Sequence, residues 1–467
     1  MSSQTENRGI VSDVPFGLNE PLTPEGAAWR QQLKDALNPM SDCELKEILG
    51  ITVRHDDSNK IITFLSLLNT YTDSDQVNIG FIAESSTGKS YIPLEIANGY
   101  FPKEDVVKLG YASPTAFFHE YGTMLPDPTD KREDVEPEKK RKIVYIDLEK
   151  KILIFLDQPH SQLLEHLRPL LSHDEREITV KITDKRKSGL HTKTIVIRGF
   201  PTVVFCSAKA NLGEQEKTRL LMLSPEVSQE KIREGIALRL EKESNREVFE
   251  TAFAENPKRR YLANRVSAIR LAQIKQVIIP EELRAKIYEK FMESHDVLQS
   301  RNQRDISRLL SIIKGYALLN YQSRHLTEDK ETGKTVITAT DDDVLTGFRY
   351  YSEVSEANEL GIPPEIWELY KLFKEEMENS EIGLSNKDIQ RIYFTKIRKP
   401  LGSKKLKKLT DMLETSGLWT SQTDPNDKRM VRYIPPEGGV CEENTISLRG
   451  KSKLTSYSVD TPTPGGI

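Results

Sequence analysis

Residues 83–90, Ala83-Glu84-Ser85-Ser86-Thr87-Gly88-Lys89-Ser90, have the types and spacing of a phosphate-binding loop in which Ala stands for the first glycine. The backbone N–H groups of Glu84, Ser85, Ser86, Thr87 and Gly88 can cradle phosphate oxygens at a helix N-terminus. Lys89 brings a cation to the β- and γ-phosphates, and the Ser90 hydroxyl offers a ligand to Mg2+. The chemistry implied is ATP binding with Mg2+. A carboxylate, Asp157, ends the apolar run Lys151–Leu156, 68 residues beyond Lys89 (157 − 89). It is placed to hold the same metal through water. Gln158 then occupies the position where such sites keep a Glu that orients the attacking water. Either another base serves, with Glu84 and Glu165 as candidates, or turnover is slow. A third apolar run, Thr202–Cys206, leads to Ser207 and Asn211, and either can reach a γ-phosphate. Arg219 precedes the run Leu220–Leu223, where oligomeric motors place an arginine finger for the neighbouring subunit.

The elements that must hold these residues follow from periodicity. The apolar run VNIGFI precedes the loop, and the helical pattern YIPLEIANGY follows it. From Val77 to Leu223, short β-branched runs (VNIGFIA, KILIFL, PTVVFC, RLLML) alternate with helical stretches. That alternation predicts a parallel α/β sheet. Residues 76–227 are therefore expected to form the α/β core, preceded by a helical segment at 25–75 and a disordered start at 1–24. The segment 25–75 contains helical patterns at Ala27–Leu37, Cys43–Leu49 and Lys60–Leu68. Residues 228–322 read almost wholly as helix, and 436–467 as a disordered tail. Pro126–Lys142 holds six basic and six acidic residues and reads as a solvated insertion. In Glu177–Gly199 two alternating stretches, with Ile178, Val180 and Ile182 on one arm and Thr194, Val196 and Arg198 on the other, flank a turn at Asp184–His191. That turn carries the consecutive cations Lys185, Arg186 and Lys187.

Residues 360–435 read as three helices (Pro364–Glu376, Ser385–Tyr393, Ser403–Thr415) and a β-hairpin built from Leu418–Thr420 and Met430–Tyr433. Ser385 and Ser403 are the expected N-caps, and Gly417 the stop of the third helix. This is the plan of a winged-helix domain. Lys396–Lys408 carries seven basic residues and no acidic one. Lys404, Lys405 and Lys408 lie, with Lys407, on the helix expected to meet a DNA groove. Lysines against phosphates position a protein without reading sequence.

Composition bounds these readings. The chain has 467 residues, 37% hydrophobic and 30% charged, with a formal net charge of −4. A uniformly basic nucleic-acid coat is excluded, so any polyanion site is a local patch. No apolar run approaches the ~20 residues of a membrane helix. The three cysteines, Cys43, Cys206 and Cys441, suit neither a disulfide framework nor a zinc knuckle. With no basic, apolar leader at the N-terminus, a cytoplasmic, reduced protein is expected. His160, His173 and His191 are too dispersed for a metal site. Tyr316, Tyr321, Tyr350 and Tyr351 fall on apolar stretches and are expected in the core.

Together these residues resemble the AAA+ motor of minichromosome-maintenance-type replicative helicases and, more distantly, superfamily 3 helicases. The resemblance covers about residues 76–355, with a looser echo to about 435. It implies an α/β P-loop AAA+ motor with a parallel sheet, a helical lid over 228–358 and a C-terminal winged helix. It makes 177–199 the hairpin inserted before the third motif, whose Lys185, Arg186, Lys187 and His191 grip DNA. It also implies a second sensor arginine, Arg304 or alternatively Arg308, and a lid helix opening at Thr338–Val344 with Asp341 as N-cap. The implied activity is ATP hydrolysis coupled to translocation on or remodelling of DNA by a homo-oligomer, a hexameric ring. The alternatives are an initiator or helicase loader, and a nucleotide-gated DNA-binding regulator with little turnover.

Overall fold

A computed structural model describes residues 38–110, 122–127, 142–157, 161–173, 175–186, 189–207, 219–295, 298–360, 362–380 and 382–436. The expected Ala27–Leu37 helix, Gln158, Asn211 and Lys187 lie outside the described residues.

Two helices, α1 (Asp42–Gly50) and α2 (Asp57–Leu68), come first. Helix α2 is buried at every position from Lys60 onward, its polar Lys60, Thr63 and Ser66 included. Strand β1 (Asn78–Ile82) is buried at every position, as a strand covered on both faces must be. After the loop come α3 (Tyr91–Tyr100), β2 (Val106–Leu109), β3 (Thr123–Pro126), β4 (Lys142–Asp147), β5 (Ile152–Phe155) and α4 (Ser161–Leu171). Strands β6 (Glu177–Arg186), β7 (Gly189–Arg198), β8 (Thr202–Ser207) and β9 (Leu220–Leu223) complete this region. A five-stranded sheet has the order β2-β5-β8-β1-β9, with every neighbouring pair parallel. The four runs legible in the sequence are β1, β5, β8 and β9. The fifth strand, β2, went unread because only Leu109 of its four residues is buried.

The stretch 177–199 is not a free-standing ribbon. Strands β6 and β7 pair antiparallel, but β7 also pairs in parallel with β4, which pairs antiparallel with β3. The result is a second, four-stranded sheet. The returning positions that face the core are Ile195 and Ile197, which pair with Val180 and Ile178. The pairing also runs further into the expected turn than read: Lys185 pairs with Leu190 and Arg186 with Gly189. The charged stretch after Pro126 joins β3 to β4.

Beyond β9 follow α5 (Gln229–Ser244), α6 (Arg246–Glu255), α7 (Pro257–Leu271), β10 (Ile274–Ile278), α8 (Glu281–Glu293), α9 (Asn302–Leu319), β11 (His325–Glu328), β12 (Thr335–Thr338) and α10 (Asp341–Glu359). This region is mainly helical, but β10, β12 and β11 form a small sheet that the helical reading missed. The cap of α10 lies one residue before the expected one: Thr340 is the N-cap, and its N–H and hydroxyl both donate to Asp343. Asp341 instead pairs with Lys286 at 2.5 Å. Tyr316, Tyr321, Tyr350 and Tyr351 are buried.

The last elements are α11 (Pro364–Glu378), β13 (Leu384–Ser385), α12 (Asn386–Ile397), α13 (Ser403–Thr415), β14 (Thr420–Thr423) and β15 (Val431–Ile434). The strand order is β13-β15-β14. Ser385 caps α12 through a reciprocal box with Asp388. Helix α13 is capped by Gly402 rather than Ser403, and Gly417, at φ +70°, follows its C-terminus. Trp419 is fully buried at the centre and donates to the Thr410 carbonyl at 3.1 Å.

One core joins α1, α2 and α3 to a face of the five-stranded sheet and to α7, α9 and α10. A second core, between that sheet, the four-stranded sheet and α4, contains Leu153, Phe155, Ile195, Ile197, Val203 and Phe205.

Candidate nucleotide site and its basic elements

Parallel strands end at one edge, and three of the candidate positions meet there. The 83–90 loop leaves β1 at Ile82, and Ala83 donates to the Ser207 carbonyl at 3.2 Å. Ser207 ends β8, the neighbour of β1 and its partner at Ile82. Asp157 follows β5, one strand further out, and its side chain is exposed. Strand spacing puts β1 and β5 about 10 Å apart. Within the loop, Ser86 and Gly88 hold positive φ of 69° and 101°. Thr87 donates its hydroxyl to the Glu84 carbonyl at 2.9 Å, which tightens the turn. Ser90 lies at the N-terminus of α3 without a side-chain capping bond. Beneath the loop, Cys206 is buried 3.5 Å from the Lys89 carbonyl, and burial pushes its thiol up to about 12. It is a packing residue here.

A second cation, missed in the sequence, stands against the loop. Lys231, in the first turn of α5, donates to the Thr87 carbonyl at 3.4 Å and to the Glu226 carbonyl at 2.9 Å. It also pairs with Asp56, which sits at φ 54° just before α2. A lysine in a helix rich in Glu, Lys and Arg carries no sequence signal of its own.

The other candidates lie apart. Arg219 precedes β9, whose Leu220 pairs with Asn78 at the start of β1. It therefore lies at the opposite edge of the sheet from its own loop, and its Nε donates to Ser172 Oγ at 2.6 Å. Arg304 is exposed in the first turn of α9. The alternative, Arg308, is buried against Asp305 at 2.5 Å, with Arg301 3.5 Å from the same carboxylate. Burial raises the Asp305 pKa and lowers that of Arg308. Of the two base candidates, Glu165 is exposed on α4. Glu84 is engaged elsewhere, as follows.

Lys185, Arg186 and His191 lie on the distal part of the β6–β7 pair. On α13, Lys404, Lys407 and Lys408 are exposed. Lys405 departs from the expectation of an open DNA-facing lysine: it pairs with Glu84 of the phosphate loop and donates to the Tyr393 hydroxyl. Tyr393 in turn donates to Glu84 Oε1 at 3.0 Å.

Among the described residues, no group of three or more His, Cys, Asp or Glu side chains could hold a metal by itself. No helix among them is long and apolar enough to cross a membrane. Ser90 and Asp157 supply oxygen donors, the kind that Mg2+ takes alongside water and phosphate.

No protein-family model and no curated protein sequence matches the chain. Among solved structures, a full-length MCM homolog from Methanopyrus kandleri is similar at 10% identity and a TM-score of 0.39, over 73% of this chain and 63% of that one. The chain thus spans less than two thirds of that homolog. The apo structure of the NrS-1 C-terminal region is similar at 12% identity and a TM-score of 0.26, over 89% of this chain and 79% of that one. At these scores neither likeness decides a function.

Proposed function

We propose that the chain is an AAA+-type ATPase that couples Mg2+-ATP hydrolysis to translocation on or remodelling of DNA, as a replicative-type helicase working in a homo-oligomeric ring. The observation that supports this most is the meeting of the Lys89–Ser90 loop, Asp157 and Ser207 at the C-terminal edge of one parallel sheet. In open α/β sheets that edge is where ligands bind. The loop amides and Lys89 hold the phosphates, while Ser90 and Asp157 hold Mg2+, which neutralises charge on the phosphoryl group. Ser207, at the end of β8, orients a γ-phosphate in this reading, with Asn211 as the alternative. Lys231 fixes the loop from the side of α5.

Arg219 cannot serve its own loop from the far edge, which favours action in trans on a neighbour. Residues 228–358 act as the lid and 360–435 as a winged helix. Lys185, Arg186 and Lys187 are the residues that grip DNA in this reading. Gln158, standing where an acid is usual, favours a second reading, a nucleotide-gated DNA-binding regulator with little turnover.

The deciding measurement is phosphate release with and without forked DNA, followed by strand displacement. DNA-stimulated turnover with displacement supports the helicase. Stimulation without displacement points to a loader, and nucleotide binding without turnover to the regulator.

A further inference from the structure

The contact between Glu84, Tyr393 and Lys405 joins residues 321 positions apart (405 − 84), one in the candidate phosphate loop and one on the helix read from sequence as a DNA contact. Glu84 is the second residue of the phosphate loop. Its Oε1 accepts from Tyr393 Oη at 3.0 Å and pairs with Lys405 Nζ. The Lys405 ammonium also lies 4.8 Å from the centroid of the Tyr393 ring, and Tyr393 is almost fully buried in the C-terminal module. Ring, hydroxyl, ammonium and carboxylate therefore close one network between the first turn of α13, α12 and the loop.

Two electrostatic facts give this network a consequence. A carboxylate on a loop built to hold phosphates opposes a polyphosphate, and Lys405 neutralises it. Lys405 is exposed like Lys404, Lys407 and Lys408 on the same helix, and it is the member that reaches Glu84. A nucleic-acid backbone landing on those lysines offers Lys405 a denser array of negative charge than one carboxylate. While Lys405 is held by Glu84 and Tyr393, its ammonium is not available to such a backbone.

We propose that Glu84, Tyr393 and Lys405 form a latch that holds the C-terminal module against the phosphate loop, and that a nucleic-acid backbone opens it by taking Lys405. The latch rests on the reading of 83–90 as a nucleotide loop and of α13 as a DNA contact. It adds a route by which DNA bound at α13 is felt at the nucleotide site.

The test uses the full-length chain without nucleotide and follows hydrogen–deuterium exchange of peptides covering 83–90 and 386–408. Each single reversal, Lys405→Glu or Glu84→Lys, is expected to speed exchange in both peptides roughly tenfold, the worth of a charge-assisted hydrogen bond. The double reversal Glu84→Lys/Lys405→Glu is expected to restore the slow rates. Tyr393→Phe, which deletes only the hydroxyl, should speed exchange at 83–90 about threefold, and it covers the case that a reversal misfolds. Random-sequence duplex DNA added to the unaltered chain should reproduce the acceleration at 83–90. Unchanged exchange in the single variants, or no recovery in the double, overturns the latch. Unchanged exchange on adding DNA overturns its opening by DNA. Failure of a fluorescent ATP analogue to bind would sink the proposed function instead, since the exchange arms need no nucleotide.

Discussion

Lys89 Nζ reaches the Glu84 carbonyl at 3.4 Å, a long contact that a phosphate oxygen would readily displace. Lys89→Ala is therefore expected to lower ATP turnover about a hundredfold or more, measured as phosphate release by the purified variant. Unchanged turnover would remove the loop from the mechanism. The frame of this candidate was legible because it is local: eight consecutive residues, a buried strand before and a helix after. Lys231 was not legible, nor was the partner of Glu84. Nothing in the sequence near 84 records that Tyr393 and Lys405 arrive there, because that meeting is made by three-dimensional packing. Gln158, whose identity sets the expectation for turnover, was plain in the sequence and awaits kinetics.

Among the elements, helix pairs show where packing limits substitution. Gly315 of α9 faces α2 so closely that an added Cβ would lie 2.9 Å from the Leu65 backbone oxygen and equally near its Cβ. Gly315→Ala is expected to destabilise the fold by about 1–3 kcal/mol, measured as a lower urea midpoint. At the end of α8, His295 Nε2 lies 3.0 Å from Glu359 of α10, and its ring also contacts the Phe291 carbonyl; Asp305 of α9 faces it as well. The Glu359 hydrogen bond holds the His295 pKa above its ordinary 6.5 despite burial. A group whose pKa rises on folding stabilises fully below its unfolded value and loses that contribution as pH climbs through the folded one. Stability from this pair should thus fade from about pH 6.5 upward. Urea midpoints between pH 5.5 and 8 should show a shallower decline in Glu359→Gln than in the parent chain. Replacing Lys185, Arg186 and Lys187 together with Ala should abolish DNA stimulation of turnover. It should also flatten the salt dependence of DNA binding by up to about three units of slope, and a fully stimulated variant would exclude this tip as the DNA grip. The β6–β7 pair was legible from alternation, whereas β3 and β4 were not: a charged stretch separates them, and β3 is exposed throughout.

For the whole molecule, the position of Arg219 matters most. Sited across the sheet from its own loop, it predicts that Arg219→Ala binds ATP yet turns it over poorly. Mixing it with Lys89→Ala subunits should restore some activity, because some interfaces then join an intact loop to an intact arginine. No recovery in subunits shown to co-assemble would contradict action between neighbours. The broad α/β-then-helical layout was readable from the change in periodicity along the chain. The sharing of one core by α1, α2, the sheet and α7–α10 was not, since it depends on distant helices meeting. The passage between the two sheets carries a last consequence. Strands β4 and β7 lie side by side, as do β5 and β8, and the pairing continues where both chains turn: Leu148 donates to the Arg198 carbonyl at 2.7 Å and Thr202 to the Lys151 carbonyl at 3.0 Å. Gly199 makes that turn possible, at φ 98°, where any Cβ would fall 2.4 Å from the Glu149 backbone nitrogen. A load pulling on the tip of β6–β7 along its length would shear the β4–β7 ladder, stressing its hydrogen bonds together rather than unzipping them in turn. The attachment is built to bear tension, so under traction whatever the tip grips should slip before the sheet yields.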